Sequence, residues 1–331
     1  MRIVSLLPSA TEIICKLGLE DTLVGVSHEC DFPPFVSRFP RLTRSNLRMD
    51  AESRDIDAQV TASAQTGRPL YQIDEKLLSD LAPDLIITQG LCPVCAVDLE
   101  QVRRVAARMI HPARVLPLSP NDFSGVFENI RQIGAATGTQ VAAGELVQRL
   151  KARVQAVRER GRSLEYPQRI CVLEWIDPPF SAGHWVAEMT EFTGGIEGFG
   201  KAGAASRRLL WQDVVGWMPE ILVLASCGHS LERILEDIPV LAGFPGFWDL
   251  PATKSGRVYA VDSHNFFSRP SPRLVDGLEM LAHCLYPELH PLPPGIPRIE
   301  RVDLGPAAPR GKAPGFSDRV NQPERVEVER K

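Results

Sequence analysis

No stretch of this chain approaches the roughly twenty consecutive apolar residues that a membrane-spanning helix needs, so membrane insertion is not expected. Neither sign of charge is in excess. Against 37 Lys and Arg stand 41 Asp and Glu, a formal net charge of −4, which leaves no basic field for nucleic acid. Glycine never falls into a P-loop, a nucleophile elbow or a dinucleotide fingerprint. Gly194-Gly195 and the glycines from 198 to 203 lack the strand–turn–helix setting of phosphate binding and read as loop. No catalytic constellation is demanded, so an enzyme is not the first expectation. The opening Met1-Arg2-Ile3-Val4-Ser5-Leu6-Leu7-Pro8 is too short for a signal-peptide core and has no small-residue cleavage site; the expected location is cytoplasmic. Seven cysteines, odd in number and scattered, read as thiols rather than as a disulfide framework.

What is present is an ordinary globular balance, 44% hydrophobic and 24% charged over 331 residues, enough for two domains. Short apolar runs at 2–6, 23–27, 85–89, 115–118, 170–175, 221–225 and 258–261 have the length of buried strands. Helical patterns at 10–17, 75–81 and 99–109 alternate with them, which predicts an α/β protein with parallel sheets.

Three segments occur twice in the same order. Arg2-Ile3-Val4-Ser5-Leu6 matches Arg169-Ile170-Cys171-Val172-Leu173. Ala82-Pro83-Asp84-Leu85 matches Met218-Pro219-Glu220-Ile221, and Ala113-Arg114-Val115 matches Gly256-Arg257-Val258. Two lobes of similar topology follow. Pro83 comes 81 positions after Arg2, whereas Pro219 comes 50 after Arg169; the surplus of 31 marks residues 41–70 as an insertion in the first lobe. Between the lobes, Asn121 and Asp122 are placed to cap a helix from Phe123 to about 136, ending near Gly138. A longer helix over 140–162 carries Leu146, Leu150, Val154 and Val157 on one stripe, with Lys151, Arg153, Arg158 and Arg160 read as a solvated surface. A stiff spacer of this kind predicts little hinge closure. From Pro287 on, nine of the 28 prolines crowd into 45 residues, and 302–331 has almost no apolar periodicity. The expected division is an N-terminal lobe at 1–120, bridging helices at 121–165, a C-terminal lobe at 166–290 and a Pro-rich disordered tail at 291–331.

Ligands of open parallel sheets bind beyond the carboxyl ends of the strands. The residues that follow the predicted strands are His28-Glu29-Cys30-Asp31, Gly90-Leu91-Cys92-Pro93-Val94-Cys95, Phe180 to Trp185, Ser226-Cys227-Gly228-His229 and Asp262 to Arg269. Four of the seven histidines and four of the seven cysteines thus fall on one rim between the lobes. Cys92-x-x-Cys95 has three readings: buried structural thiols, a dithiol redox pair, or half of a Zn or Fe site completed by Cys30 and His28. His184, His229 and His264 can offer an axial nitrogen to a metal-centred ligand. Trp175, Phe180, Trp185, Trp211, Trp217, Phe266 and Phe267 can wall a large planar one, although core packing is the simpler role for Trp175 and Trp217.

These residues resemble the helical-backbone class of ABC-importer substrate-binding proteins, which take up cobalamin, haem and iron–siderophores, and within it look most like the cobalamin-binding branch. The resemblance is carried by Leu6-Leu7-Pro8-Ser9-Ala10-Thr11-Glu12, Val24-Gly25-Val26-Ser27 with Asp31-Phe32-Pro33-Pro34, Pro83-Asp84-Leu85-Ile86, Asp177-Pro178-Pro179-Phe180 with Gly194-Gly195, and Arg269-Pro270-Ser271-Pro272-Arg273. It covers about residues 1–286 and implies two Rossmann-like lobes with parallel sheets, joined by a long rigid helix. It implies a small-molecule ligand, a corrinoid or related metal-tetrapyrrole, with no cofactor required. Phe180, Trp211 and Arg269 match corrin contacts or donors; Asn265 replaces an acidic residue, and Glu29 and Gln89 replace stacking aromatics. His184, Trp185, His264 and Phe266 complete the expected ligand set. Glu75 matches an acidic residue that docks an ABC permease on the first lobe; on the second, Gln212 holds that register with Asp213 beside it. The His28-Glu29-Cys30 and Cys92-x-x-Cys95 elements are similar to those of a signal-less branch. The reading is a corrinoid-binding protein, possible Zn or Fe at the cysteines included. The alternative is a cytoplasmic metal- or thiol-redox enzyme using Cys30, Cys92, Cys95 and His28.

Overall fold

The computed structural model describes residues 1–90 and 99–305. Cys92, Cys95 and the tail beyond 305 therefore lie outside the described residues. Two parallel sheets form the frame. In the first lobe, β1 (Ile3–Ser5) lies between β2 (Leu23–Val26) and β5 (Leu85–Gln89), and β6 (Arg114–Leu118) closes the far edge. A separate two-stranded sheet pairs β3 (Thr43–Ser45) with β4 (Tyr71–Ile73). In the second lobe, β7 (Arg169–Trp175), β10 (Ile221–Leu224) and β11 (Val258–Ala260) run parallel. Short β8 (Phe180–Ser181) and β9 (Ile196–Glu197) pair with β7, and β12 (Glu300–Arg301) pairs antiparallel with β11.

The sequence repeat is a structural one. The three repeated segments form β1, β5 and β6 in one lobe and β7, β10 and β11 in the other, neighbours in the same order. The turn before the second strand is built alike in both. Ala82 and Met218 each take positive φ ahead of their proline (41° and 54°). Asp84 Oδ2 accepts from the Arg2 amide at 2.7 Å, and Glu220 Oε2 from the Arg169 amide at 2.9 Å. The guanidinium Nε of each arginine donates to a carbonyl of that turn, Leu81 O and Met218 O, at 3.0 Å in both cases. An acid after proline thus ties the start of one strand to the start of its neighbour.

Each sheet has two covered faces. Val4, Leu6, Leu42, Leu78 and Ile86 cover the outside of the first; Leu173, Leu222, Phe247 and Val258 cover that of the second. The other faces share one core, built around the helices Phe123–Thr137 and Gln140–Gly161. Asp122 caps the former, accepting from Gly125 N at 2.7 Å, and Gly138 ends it at φ 76°. Two of the helix cations expected in solvent are packed instead: Arg158 lies 4.5 Å from the Phe192 ring, and Arg153 pairs with Asp276 and Glu279 at 2.6 Å. Arg153 sits where the Gln140–Gly161 helix crosses the C-lobe helix Leu274–Leu285.

At Gly161 the bridging helix meets the backbone of residues 192–194 so closely that a Cβ would stand 2.5 Å from Phe192 O. Gly161→Ala should cost about 1–3 kcal/mol, because the opposing atoms are main chain and cannot turn aside. Urea unfolding of the variant checks this; an unchanged midpoint contradicts it.

The C-terminal lobe runs past residue 290. Val302 is buried in it with Leu304 against its edge, and Val302 N donates to Val258 O at 2.9 Å, where a disordered tail was expected from Pro291. No helix among the described residues is long and apolar enough to cross a membrane.

Candidate functional site

The loops beyond the strand ends of the two lobes meet in a polar seam. From the first lobe comes the loop after β2. From the second comes the short helix Ser263–Phe266, capped by Asp262, which accepts from Asn265 N at 3.1 Å. Arg269 reaches across to Asp31, and its Nη2 also donates to Glu29 O at 3.0 Å; His264 Nε2 stands 2.7 Å from Asp31 Oδ2. Burial works to raise the Asp31 carboxyl, but the hydrogen bonds from His264 and Arg269 outweigh it and hold the group well below the usual carboxylate range.

Behind this contact lies a second, more deeply enclosed one. Glu12, on the helix Pro8–Lys16, is 2% exposed. It accepts both arms of Arg273, Nε to Oε2 at 2.9 Å and Nη2 to Oε1 at 2.6 Å, with Arg269 Nη1 3.8 Å from Oε1. The fork-to-fork geometry ties the first-lobe helix to the second lobe through two parallel charge-assisted hydrogen bonds. Arg273 also lies 3.9 Å above the Phe32 ring and donates to Asn265 Oδ1 at 3.1 Å. Neither Glu12 nor Arg273 was among the expected site residues. The available signal was an acid directly before the apolar pair Ile13-Ile14, in a helix that must bury that face.

The end of β10 contributes a different feature. His229 is 3% exposed, and neither ring nitrogen has a hydrogen-bond partner. Burial pushes its imidazole down to about 4. Its ring lies 4.8 Å from that of Trp175, whose Nε1 donates to Ser53 O at 3.1 Å across the lobes. Trp175 is therefore part of the seam, not the core residue its apolar strand suggested. Nearby, Glu174 accepts from Gly183 N at 2.8 Å and so orients the start of the helix His184–Phe192. Burial raises its carboxyl to about 8, and likewise that of Glu197, which accepts from Phe199 and Gly200 amides, to about 7.

The expected ligand residues are distributed unevenly. His264, Asn265, Arg269 and Glu29 come together as described. Phe266 lies 5.6 Å from the Arg273 guanidinium. Trp185 is half-buried, with Nε1 on Phe267 O at 2.7 Å and its ring 5.6 Å from that of His184. Phe180 lies under Arg208, and Gln89 is the last residue of β5, partly exposed. Trp211 does not wall the cleft. It is closed into the core of the second lobe against Phe244 and Phe247, with Nε1 on Pro245 O at 2.8 Å, because its helix covers the outer face of the sheet. Glu75 and Asp213 are both exposed, in the first turns of the helices Glu75–Asp80 and Trp211–Trp217, one on each lobe.

The proposed metal cluster is not assembled by its described members. Cys30 Sγ turns into the first lobe, 3.1 Å from Thr11 Oγ1 and 3.3 Å from Ser27 Oγ, and burial pushes its thiol up. His28 is engaged by Thr43 Oγ1 at 2.7 Å and Glu29 Oε1 at 3.3 Å. Among the described residues no group of three or more His, Cys, Asp or Glu is placed to hold a metal ion. A thiol raised by burial is also a poor nucleophile, so Cys30 gives the redox reading no help.

Comparison with known proteins agrees with this geometry. An uncharacterized ABC transporter substrate-binding lipoprotein of Bacillus subtilis is 26% identical over 295 residues, 87% of this chain and 80% of that protein. A vitamin B12-binding protein of Vibrio campbellii is 22% identical, over 84% of this chain and 86% of its own length. Among solved structures, the periplasmic haem-binding protein RhuT of Roseiflexus superposes with a TM-score of 0.64 at 23% identity, over 87% of this chain and 98% of that one. The periplasmic vitamin B12-binding protein BtuF of Vibrio cholerae gives 0.61 at 21% identity, over 86% and 96%. These are solute-binding proteins rather than enzymes, and the enzyme alternative finds no support among them. Nor does the cytoplasmic location: two of these proteins are named periplasmic, and one is named a lipoprotein. Residues 3–264 match the family described as periplasmic binding protein, and with two lobes, a shared helical spine and a seam at the strand ends, the chain belongs to that family.

Proposed function

We propose that this protein is the solute-binding component of an ABC import system, and that its inter-lobe cleft takes a corrinoid or related metal-tetrapyrrole. The observation that carries the ligand class is His229: a buried, neutral imidazole with both nitrogens unpartnered, its ring tilted against that of Trp175. A buried polar ring without a partner is a costly arrangement, and coordination to a metal-centred ligand would satisfy it. His264 and His184 are further imidazoles on the same rim. Phe180, Trp185 and Phe266 would supply apolar wall, and Arg269, Asn265, Glu29 and Gln89 the polar contacts to peripheral carboxylates or amides. Glu75 and Asp213 would meet basic residues of the permease, one from each lobe.

Titrating the purified protein with haemin, cobinamide and cobalamin, followed by visible absorption and calorimetry, tests this reading. A shifted visible band is expected with at least one of them. His229→Ala should remove that shift and weaken binding by about tenfold or more. No shift and no heat with any of the three overturns the ligand class.

A further inference from the structure

Residues 41–70, the surplus without counterpart in the second lobe, form an arm. Its root is the pairing of β3 with β4, fastened to the first lobe where Leu42 N donates to Val26 O at 2.9 Å and Asp74 N to Leu42 O at 2.8 Å. Its tip is the helix Ser53–Thr66, which buries only Ser53 and Ile56 and ends at Gly67 with φ 67°. The tip is fixed to the other lobe through polar groups. Ser53 Oγ donates to Asp237 at 2.5 Å, and Arg233 Nη2 donates to Ala51 O at 3.1 Å. Arg54 pairs with Asp177 at 2.8 Å, and Arg208 with Asp57 at 2.6 Å. Trp175 Nε1 donates to Ser53 O, and the same indole packs on His229.

We infer that this arm is a latch: it lifts off the second lobe as a unit to admit solute to the seam, turning on its β3–β4 root. Both ion pairs have an exposed arginine, the Ser53–Asp237 hydrogen bond is the buried contact, and Ile56 is the one buried apolar side chain of the helix, so the arm opens at lower cost than the sheets behind it. The latch also has a built-in sensor of occupancy. A solute that engages His229 meets the Trp175 ring packed beside it, and the Trp175 indole, whose N–H is shared between Ser53 O and Asp177 O, is with Asp237 one of the two groups that hold Ser53. Occupied and empty seams therefore hold the arm differently. The inference rests on the cleft being the solute site, but not on which solute enters.

Hydrogen exchange followed by mass spectrometry on the full chain tests the latch without any ligand. Residues 53–66 should exchange about tenfold or more faster than the Phe123–Thr137 helix. Arg54→Ala with Asp57→Ala should quicken them by a further severalfold while β5 and β10 are unchanged. Equal protection of 53–66 and the sheets in both proteins, or an increase spread over the whole first lobe, overturns it. A second arm uses Ser53→Cys with Asp237→Cys: oxidised, the pair should block uptake of the probe that the wild type binds, and reduction should restore it. Uptake by the oxidised protein at the wild-type rate also overturns the latch. If the wild type takes up none of haemin, cobinamide and cobalamin, the ligand reading fails while the exchange result still decides the latch.

Discussion

Replacing Glu12 by alanine should cost about 3–5 kcal/mol of stability, the range for breaking a buried ion pair on one side only. Its carboxylate is the bidentate partner of Arg273 and lies within 3.8 Å of Arg269, and all three side chains are nearly closed to solvent. Arg269 retains Asp31 in the variant, but Arg273 keeps no carboxylate, only Asn265 and the Phe32 and Phe266 rings. The loss is thus the desolvation of a stranded guanidinium rather than the strength of the pair itself. Removing both partners, as in Glu12→Leu with Arg273→Met, should recover most of it. A double-mutant cycle in urea measures the coupling. If the single and double variants are equally unstable, the pair does not act as described, and packing around residue 12 is the cause.

Glu174→Gln should have the opposite sign, and only at high pH. In the folded chain the Glu174 carboxyl holds its proton up to about 8, whereas in the unfolded chain it ionises near 4.5. The folded state therefore binds the extra proton between those values. Stability falls as pH rises through that window and levels off above it. Each unit is worth about 1.4 kcal/mol; with part of the residue reaching solvent, an effect on the order of 3 kcal/mol is expected. Glutamine keeps an acceptor for Gly183 N and has nothing to ionise. The variant should match the wild type at pH 5 and exceed it at pH 9, and an equal margin at the two pH values defeats the prediction. Glu197 works in the same direction up to about 7. His229 and His290 work against both: burial lowers each to about 4, so their neutral burial costs stability as pH falls from 6.5. Between about 4.5 and 6.5 the two pairs pull stability in opposite directions.

The frame of the molecule was legible because it is written locally. Buried parallel strands are short apolar runs, and the run at 85–89 is β5 itself. Asp122 and Gly138 mark their helix ends through side-chain oxygen and positive φ. The repeat was readable because Pro-acid turns recur with the same hydrogen bonds. Much of the seam was not legible, since its contacts join distant residues: Ser53 with Asp237, 184 positions apart, and Glu12 with Arg273, 261 apart. Nothing near Ser53 or Arg54 announces such a partner; the helix is polar on most sides and would read as solvated. Trp211 was misplaced because an aromatic residue does not declare which face of a sheet it covers. Cys30 was misplaced because a residue just beyond a strand can turn back into its own lobe. Val302 was missed because a lone valine after a two-residue edge strand carries no apolar periodicity.

The two bridging helices do more than separate the lobes. The apolar cluster that holds Phe123, Ile130, Leu146 and Val154 also contains Ile3 and Ile87 from one sheet and Ile170 and Val223 from the other. A division of the chain at 120 or 165 would leave one half with an open greasy flank and the other with no back wall. The lobes look like domains from outside, but they share a single apolar interior through the bridging helices.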